Sequence, residues 1–183
     1  MNMTMVVILL FLAGLAGCIV SPRSNAPPPR PVDHVDLERY CGEWYEIARY
    51  PNRFQRNCPA SKATYTLLSD DKIEVLNQCY DKNYQKVLRS VRGKAWPVDN
   101  GNNARLKVSF FWPFSGDYWI IDLGKNYEYA VVGHPTRKYL WILSRKHWME
   151  EDLFQEIAER LRIQGYDPDR LILKESRGQG NES

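Results

Sequence analysis

The amino-acid sequence predicts an all-β domain of eight short antiparallel strands, followed by one C-terminal α-helix and a short ninth strand. Three observations support this prediction. Between Tyr40 and Leu143, short runs rich in β-branched and aromatic residues recur, and turn-forming residues separate them. No helical segment alternates with these runs, which argues against a parallel sheet. A single amphipathic segment with helical spacing follows them. Eight strands at this spacing indicate an antiparallel barrel or sandwich.

The bulk composition fits one globular domain rich in β structure. The chain has 183 residues, a formal net charge of +3 and 13% aromatic residues, which favour the half-buried surface of a sheet. A net charge this small does not indicate a nucleic-acid partner. The three histidines, His34, His134 and His147, are scattered and form no HExxH-type spacing. We therefore predict neither a metal site nor a cofactor.

The first 17 residues are predicted to be a lipoprotein signal peptide. Met5–Leu15 is an apolar run of eleven residues, shorter than the roughly 20 needed to span a bilayer. The following LAGC, ending at Cys18, resembles the lipobox of bacterial lipoproteins, in which the cysteine sulfur receives a diacylglycerol and the chain is cut before it. The resemblance implies that Cys18 begins the mature chain and carries acyl chains such as palmitate. Ile19 after the cysteine implies sorting to the outer membrane of a Gram-negative host.

A proline-rich segment connects this cysteine to the domain. Ser21–Pro31 reads SPRSNAPPPRP, which can form neither a helix nor a sheet ladder, so residues 18–34 are predicted to be an extended tether. Two or three acyl chains would anchor the protein firmly, because each buried methylene contributes about 0.8 kcal/mol. The folded domain is expected at residues 35–175, with a disordered tail at residues 176–183.

The eight strands of the domain are placed between tight polar turns. They are predicted at residues 42–50, 61–68, 72–80, 87–96, 104–111, 117–123, 128–133 and 138–144.

The second and third strands are expected to form a hairpin that brings two cysteines together. Paired residue numbers in this hairpin sum to about 140, which places Cys79 opposite Ser61. Cys58 then lies within reach of Cys79 if the intervening chain bends at Pro59. An oxidising compartment favours a Cys58–Cys79 disulfide, which leaves Cys41 as a lone, buried thiol.

The helix is predicted at residues 150–164. Leu153, Ile157 and Leu161 recur at four-residue intervals, and Gly165 follows as a C-terminal cap. The segment 170–174, with the sequence RLILK, is predicted to add the short ninth strand.

These elements together resemble the lipocalin family, and specifically its bacterial outer-membrane lipoprotein branch. Gly42-x-Trp44 matches the first-strand motif of the family, and Tyr139–Arg145, YLWILSR, matches its last-strand motif. Leu106–Phe114 resembles the bacterial branch. The resemblance covers the whole predicted domain and implies an eight-stranded up-and-down barrel. The Thr-Asp-Tyr motif of the family reads KNY at residues 125–127, which weakens the receptor-contact role attached to that motif.

In such a barrel, three motif residues are predicted to be structural. Trp44 would plug the closed end, and Gly42 would let the N-terminal chain cross the barrel base closely. Arg145 would lie across the indole, a cation–π contact of about 0.5–2 kcal/mol. None of the three is expected to touch a ligand.

Alternation along the strands, counted from an inward-facing Trp44, predicts the barrel interior. Most of the inward positions are apolar and several are small, which favours a cavity over a filled core. The positions predicted to bind ligand are Ala48, Ala63, Tyr65, Val75, Asn77, Val91, Leu106, Val108, Phe110, Tyr118, Val132, Tyr139 and Trp141. Leu67, Ile73, Ala95, Ile120 and Ala130 are predicted to face inward as well.

Two groups of charged residues have open interpretations. Glu46 shares the inward face, so it either receives a polar head group or is turned outward by a bulge. The loops expected at the open end are 51–60, 81–86, 112–116 and 133–138. They carry several cations and apolar tips, namely Arg53, Arg56, Lys82, Lys86, Arg137, Lys138, Phe54, Trp112 and Phe114. This rim is either an ordinary solvated surface or a surface that orients the mouth to a membrane or a phosphate head group.

The predicted function is binding and carriage of small hydrophobic ligands, and not catalysis. A calyx that buries ten methylenes gains about 8 kcal/mol before the costs of association, which fits micromolar affinity for a fatty acid or lysophospholipid. Similarity to the family adds a role in envelope lipid maintenance, with the outer membrane and its phospholipids as partners through Cys18. The domain is expected to face the periplasm.

Two alternatives remain. Some lipocalin relatives use a calyx thiol for catalysis, and alternation places Cys79 inside, whereas His134 and His147 fall outside the predicted interior. A filled barrel could instead act as an interaction protein through its loops or the outer face around Trp119 and Ile121. Cys41 or an exposed strand face could support a homodimer.

Overall fold

The computed structural model describes residues 27–98 and 101–174. The strands are β1 (Gly42–Arg49), β2 (Ala60–Leu67), β3 (Ile73–Tyr80), β4 (Val87–Pro97), β5 (Arg105–Phe111), β6 (Phe114–Leu123), β7 (Tyr129–Gly133), β8 (Leu140–Ser144) and β9 (Ile172–Leu173). They form one antiparallel sheet in the order β2-β3-β4-β5-β6-β7-β8-β1-β9, and β2 also pairs with β1. The sheet is therefore a closed eight-stranded barrel with one additional strand. Helix α2 (Glu151–Ile163) precedes β9, and the predicted architecture is confirmed.

Two local features depart from the sequence prediction. A short helix α1 (Leu37–Tyr40) precedes β1, and the side chain of Asp36 caps it by accepting from the backbone N–H groups of Glu38 and Arg39. A single helical turn is too short to produce a periodic pattern, so the sequence did not reveal it. Strand β6 begins at Phe114 and not at residue 117, because Phe111 and Phe114 pair across a two-residue turn.

The buried side chains form two layers, one inside the barrel and one outside it. The inner layer at the closed end includes Trp44, Tyr40 and Leu106. The outer layer lies between α2 and strands β1, β7 and β8, where Ile157 packs with Val131 and other buried residues of these strands. Helix α2 therefore covers one side of the barrel and leaves the inside free of its side chains.

A bulge in β1 reverses the inward and outward alternation of side chains in the C-terminal half of that strand. Against β8, Glu46 lies opposite Leu143 and Ala48 lies opposite Ile142, so Ile47 is the additional residue. Ala48 consequently packs in the outer layer under α2. The prediction that Ala48 faces the interior is wrong, because period-two counting fails beyond a bulge.

The end of the predicted tether contacts the domain. The backbone N–H of Val32 donates to the carbonyl oxygen of Ile120 at 2.9 Å, and that of Arg30 donates to Gln164 Oε1 at 3.0 Å. Residues 27–34, which belong to the predicted tether (residues 18–34), therefore lie on the barrel surface. The predicted signal peptide at residues 1–17, the predicted lipidation site Cys18 and the predicted tail at residues 176–183 lie outside the described residues.

The closed end is plugged by Trp44 under the guanidinium of Arg145. Trp44 is fully buried, and Arg145 Cζ lies 3.7 Å from the centroid of the indole. The guanidinium also donates to backbone carbonyl oxygens of the chain around the barrel base, those of Arg39, Tyr40, Glu43 and Tyr127. Gly42 has a φ of +98°, and a Cβ at this position would lie 3.2 Å from Arg145 Nη1. Gly42 is therefore required both by its backbone conformation and by the space that Arg145 occupies.

The disulfide between Cys58 and Cys79 ties the loop after β1 to the end of β3. Cys79 lies opposite Ser61, the pairing predicted for the β2–β3 hairpin. Cys41 is the free cysteine of the described residues, as predicted, and its side chain is half-buried. Burial raises the pKa of the Cys41 thiol.

We expect Arg145→Ala to lower the free energy of unfolding by about 3 kcal/mol, because it removes both the contact with Trp44 and several charge-assisted hydrogen bonds. Arg145→Lys should recover less than half of this loss, since an ammonium cannot reproduce the planar fork of donors. Urea denaturation measures both values. Arg30→Ala is the control, because Arg30 forms an exposed ion pair with Asp33 and should change stability by less than about 0.5 kcal/mol. Equal effects of the two alanine variants would contradict the structural role of Arg145.

We expect the double variant Cys58→Ala/Cys79→Ala to lose about 3 kcal/mol of stability, because the bridge closes a loop between residues 21 positions apart. Chemical denaturation with and without reductant measures the effect: reductant should destabilise the parent protein and leave the double variant unchanged. Cys41→Ala, which removes no bridge, should shift the free energy of unfolding by about 1 kcal/mol or less. A parent protein insensitive to reductant would show that the bridge contributes nothing to stability.

Candidate functional site

A cavity of about 650 Å³ occupies the barrel above the plug and opens at the end formed by the loops after β1, β3, β5 and β7. This volume lies within the roughly 300–1,000 Å³ of typical small-molecule sites. Its wall is largely aliphatic and aromatic, with small side chains such as Ala63 and Ala95 leaving room between the strands. The described part of the chain therefore encloses an apolar space that its own side chains do not fill.

Most of the positions predicted to bind ligand line this cavity. They are Ala63, Tyr65, Val75, Asn77, Val91, Leu106, Val108, Phe110, Tyr118, Val132, Tyr139 and Trp141, together with Ile73 and Ala95 from the wider inward set. Ala48 is excluded by the bulge in β1. Leu67, Ile120 and Ala130 pack in the inner layer without reaching the cavity. Contact of the lining residues with a ligand stays a prediction.

The base of the cavity carries a chain of three tyrosine hydroxyls. Tyr118 Oη lies 2.7 Å from Tyr40 Oη and 3.0 Å from Tyr65 Oη. Burial raises the pKa of Tyr65 to about 12 and the pKa values of Tyr40 and Tyr118 well above the usual value. All three hydroxyls are consequently neutral near pH 7. Tyr40 was missed by the sequence prediction because it comes from α1 and not from a strand.

Glu46 lines the cavity wall with its charge already matched by two cations. Its Oε1 lies 2.6 Å from Arg49 Nη1 and 3.3 Å from Lys174 Nζ, and Gln55 Nε2 donates to its Oε2. The three charged side chains are only 3–7% exposed. Burial lowers the pKa of Lys174, against the opposing effect of Glu46. Glu46 was expected either to receive a polar head group or to be turned outward by a bulge. The bulge lies after Glu46, so the carboxylate still faces inward. It binds Arg49, Lys174 and Gln55 of the protein itself.

The loop after β1 folds over the cavity mouth. Gln55 accepts from Trp141 Nε1 at 2.8 Å and donates to Ser61 Oγ at 3.1 Å. Phe54 packs on Tyr139, with ring centroids 5.3 Å apart, and both side chains line the cavity. The sequence could not predict Phe54 and Gln55 as lining residues, because a loop has no period from which to infer direction.

His134 also lines the cavity, which contradicts its predicted place outside the interior. Its backbone N–H donates to the carbonyl oxygen of Tyr139, so strand-like pairing continues past the end of β7. His134 therefore keeps the inward direction of Val132, and counting one further step would have found it. Its Nε2 lies 3.8 Å from Asp117 Oδ2, and burial lowers the pKa of the imidazole.

Cys79 faces the cavity as predicted, but its sulfur is bonded to Cys58 and so is not a thiol. In residues 27–98 and 101–174, no group of three or more His, Cys, Asp or Glu side chains is arranged to bind a metal ion. Within the same ranges, no helix has both the length and the apolar character needed to cross a membrane.

Two surface predictions need correction. The outer face around Trp119 and Ile121 is not open for a partner, because both side chains pack in the layer under α2. Arg137, predicted to face the mouth, instead donates to the carbonyl oxygens of Gln164 and Pro27. The guanidinium is therefore directed to the end of α2 and not to the cavity opening.

The sequence matches known proteins along most of its length. A family model described as "Lipocalin-like domain" matches residues 35–176. The chain is 38% identical over 166 residues to outer membrane lipoprotein Blc of Escherichia coli strain K12, which covers 89% of this chain and 93% of that protein. It is 39% identical over 148 residues to temperature-induced lipocalin-1 of Arabidopsis thaliana, which covers 76% of this chain and 78% of that protein.

Solved structures agree on the fold. Insecticyanin from the tobacco hornworm Manduca sexta matches with a TM-score of 0.62 at 19% identity, over 82% of this chain and 85% of that chain. An identity this low supports the fold alone. The family match and the closer relatives carry the assignment further: this chain belongs to the lipocalin family and is similar to its bacterial outer membrane lipoproteins.

Proposed function

We propose that this protein is a lipid-anchored lipocalin that binds, stores or carries single-chain lipids, such as fatty acids or lysophospholipids, in its barrel cavity. The observation that carries the proposal is the apolar cavity of about 650 Å³, closed at one end by Trp44 and open at the other. A molecule with one flexible alkyl chain suits this shape, because it can enter through the mouth and bury its chain along the wall.

The energetics of such binding are favourable but moderate. Burial of about ten methylenes contributes roughly 8 kcal/mol, from which the cost of immobilising the ligand is subtracted. Micromolar affinity is the expected result. The tyrosine hydroxyls at the base do not oppose an alkyl tail, because they hydrogen-bond one another and are left paired. We infer that the tail points to the base and the head group lies at the mouth.

The N-terminal sequence supports an anchored location. Cys18 in the LAGC motif is proposed to carry the diacylglycerol and an amide-linked acyl chain such as palmitate, after removal of residues 1–17. Similarity to outer membrane lipoprotein Blc supports the outer membrane as the location. We propose that the domain faces the periplasm, where it contributes to maintenance of envelope lipids.

The alternative of a calyx-thiol enzyme has less support. The Cys79 sulfur is committed to the disulfide, and the pKa of the Cys41 thiol is raised, whereas a nucleophile requires a thiolate. The alternative of a filled barrel that acts only through its surface is disfavoured by the cavity itself.

Val91→Trp tests the cavity as the binding site. Val91 lies on β4 opposite Asn77 and lines the cavity, so an indole at this position would occupy the space of the alkyl chain. We expect the variant to weaken binding of a fluorescent fatty acid at least tenfold, measured by titration and by displacement with unlabelled lysophospholipid.

The matched control is Arg92→Trp, one residue along the same strand, which places the indole outside and removes only an exposed ion pair with Glu74. Its affinity should equal that of the parent protein. Equal binding by all three proteins would contradict the proposed site, and no binding by the parent protein at any concentration would contradict the proposed function.

Cys18→Ser tests the anchor. We expect the variant to lose incorporation of radiolabelled palmitate and to leave the outer-membrane fraction, because it lacks the sulfur that accepts the diacylglycerol. Fractionation and labelling in a Gram-negative host measure both. Cys41→Ser is the matched control and should be labelled like the parent protein. Palmitate incorporation by Cys18→Ser would overturn the assignment.

A further inference from the structure

The three tyrosines at the base of the cavity have one more hydroxyl proton than they can share among themselves. We refer to Tyr40, Tyr65 and Tyr118 as the tyrosine triad. Tyr118 Oη lies within hydrogen-bond distance of both other hydroxyls, so the triad contains two hydrogen bonds. Each hydroxyl carries one proton, and three protons are therefore available for two bonds. Whichever way the hydroxyls are oriented, one O–H group has no acceptor within the triad.

The part of the chain that the structure describes supplies no other acceptor for this spare proton. The hydrogen bonds of the three hydroxyls there are those within the triad. Trp44, whose ring packs on that of Tyr40, offers a donor and not an acceptor, and its Nε1 already donates to the carbonyl oxygen of Tyr40 at 2.8 Å. A buried donor without a partner is costly, so the triad favours an acceptor from outside the protein.

The triad faces the cavity and is held in place by ring packing. Its members come from α1, β2 and β6, and all three line the cavity. The rings of Tyr40 and Tyr65 are stacked with centroids 5.7 Å apart, and Tyr118 meets Tyr65 edge-on at 6.2 Å. Because Tyr40 and Tyr65 are only 1% and 6% exposed, bulk water has little access to them. A ligand whose end reaches the base therefore meets a fixed, spare O–H group.

The base suits a neutral oxygen better than a carboxylate. Burial raises the pKa of all three hydroxyls, so they remain protonated donors near pH 7. The guanidinium of Arg145 is not part of the cavity lining, since it lies over Trp44 and donates to backbone carbonyl oxygens. A carboxylate at the base would lack a charged partner, and burial of an unpaired charge is strongly unfavourable.

We propose that the tyrosine triad is a subsite for a hydroxyl group at the far end of an alkyl chain, so that the preferred ligands are single-chain lipids hydroxylated at the ω carbon. A hydroxyl fits because it accepts the spare proton and donates its own proton to a tyrosine oxygen. A methyl end is tolerated but leaves the spare proton unpaired. This inference rests on the proposed function, in which the head group lies at the mouth and the tail at the base.

Competition between three lipids tests the subsite. Hexadecanoic acid, its ω-hydroxy derivative and its α-hydroxy derivative are each used to displace a fluorescent fatty acid from the purified protein. The α-hydroxyl lies beside the carboxyl group and stays at the mouth, so the two derivatives differ only in the position of the hydroxyl. We define the ω preference as the Kd of the α-hydroxy acid divided by that of the ω-hydroxy acid. The parent protein should show an ω preference of about fivefold.

Removal of all three hydroxyls should abolish this preference. Tyr40→Phe/Tyr65→Phe/Tyr118→Phe keeps the rings but leaves no donor in the triad, so we expect the ω preference to fall about fivefold. The matched control is Tyr50→Phe. Tyr50 is also buried, but it lies outside the cavity lining, and its hydroxyl both donates to and accepts from the backbone of Asp167. Its ω preference should equal that of the parent protein.

Tyr118→Phe alone should change the ω preference in the opposite direction. It removes the central hydroxyl and leaves Tyr40 and Tyr65 with one unshared O–H group each, so two spare donors replace one. The ω preference should therefore rise above that of the parent protein, and this single variant keeps the test open if the triple variant does not fold. A fall in Tyr118→Phe, or equal values in the parent and the triple variant, would overturn the proposal, because the spare proton would then be satisfied without the lipid.

The outcome is separable from that of the proposed function. Displacement by hexadecanoic acid reports binding of a single-chain lipid, whatever group its far end carries. If hexadecanoic acid binds the parent and the variants while the ω preference never changes, the hydroxyl subsite is wrong and the proposed function stands. If none of the three lipids displaces the probe from the parent protein, the proposed function is wrong and the subsite with it.

Discussion

The guanidinium of Arg145 lies over the indole of Trp44 and binds the carbonyl oxygens of the chain that crosses the barrel base. This contact concentrates the packing of the inner layer at one end of the barrel. Because the largest side chain and the short helix α1 fill the base, the strands above it can enclose space without meeting across it. The cavity is therefore a consequence of an asymmetric core, packed fully at one end and not at the other.

Closure of the barrel wall is also asymmetric. Strands β1 and β2 pair only along Gly42–Tyr45. Further along β1, at Ala48 and Arg49, the pairing partner is β9 instead. The seam is completed by side chains: the carboxylate of Glu46 with its two cations, and the amide of Gln55. Lys174 Nζ further donates to the carbonyl oxygen of Cys58, within the loop that the disulfide holds. Buried ions contribute little net stability, but here each charge has a partner, and their geometry holds the loop over the mouth.

The two ends of the barrel consequently have different surfaces. At the closed end, polar and charged groups form hydrogen bonds within the protein, as Arg145 does with backbone carbonyl oxygens. At the open end, aromatic side chains and cations face outward, and the apolar surface continues from Phe114 into the cavity. Stability is concentrated where the barrel is plugged, and the groups available to other molecules lie where it is open.

The strands and most of the cavity wall were predictable from local properties of the sequence, whereas the order of the strands around a barrel followed from the resemblance to lipocalins. The period of two along each strand assigns Val75, Val91 and Val108 to the interior, and the turn after β2 sets the pairing of Ser61 with Cys79. The motif residues Gly42, Trp44 and Arg145 identified the closed end through their resemblance to the lipocalin motifs and not through periodicity.

Other features were decided only by the tertiary structure. Ile47 forms a bulge because β1 must pair with β8 while α2 packs on its outer face, so Ala48 and Arg49 exchange directions. Gln55, Tyr40 and Lys174 come from a loop, a single helical turn and the C-terminal segment, where no period indicates direction. Their contacts join segments distant in sequence, and the free energy of such contacts depends on where the folded chain brings them together. Local patterns contain no information on that position.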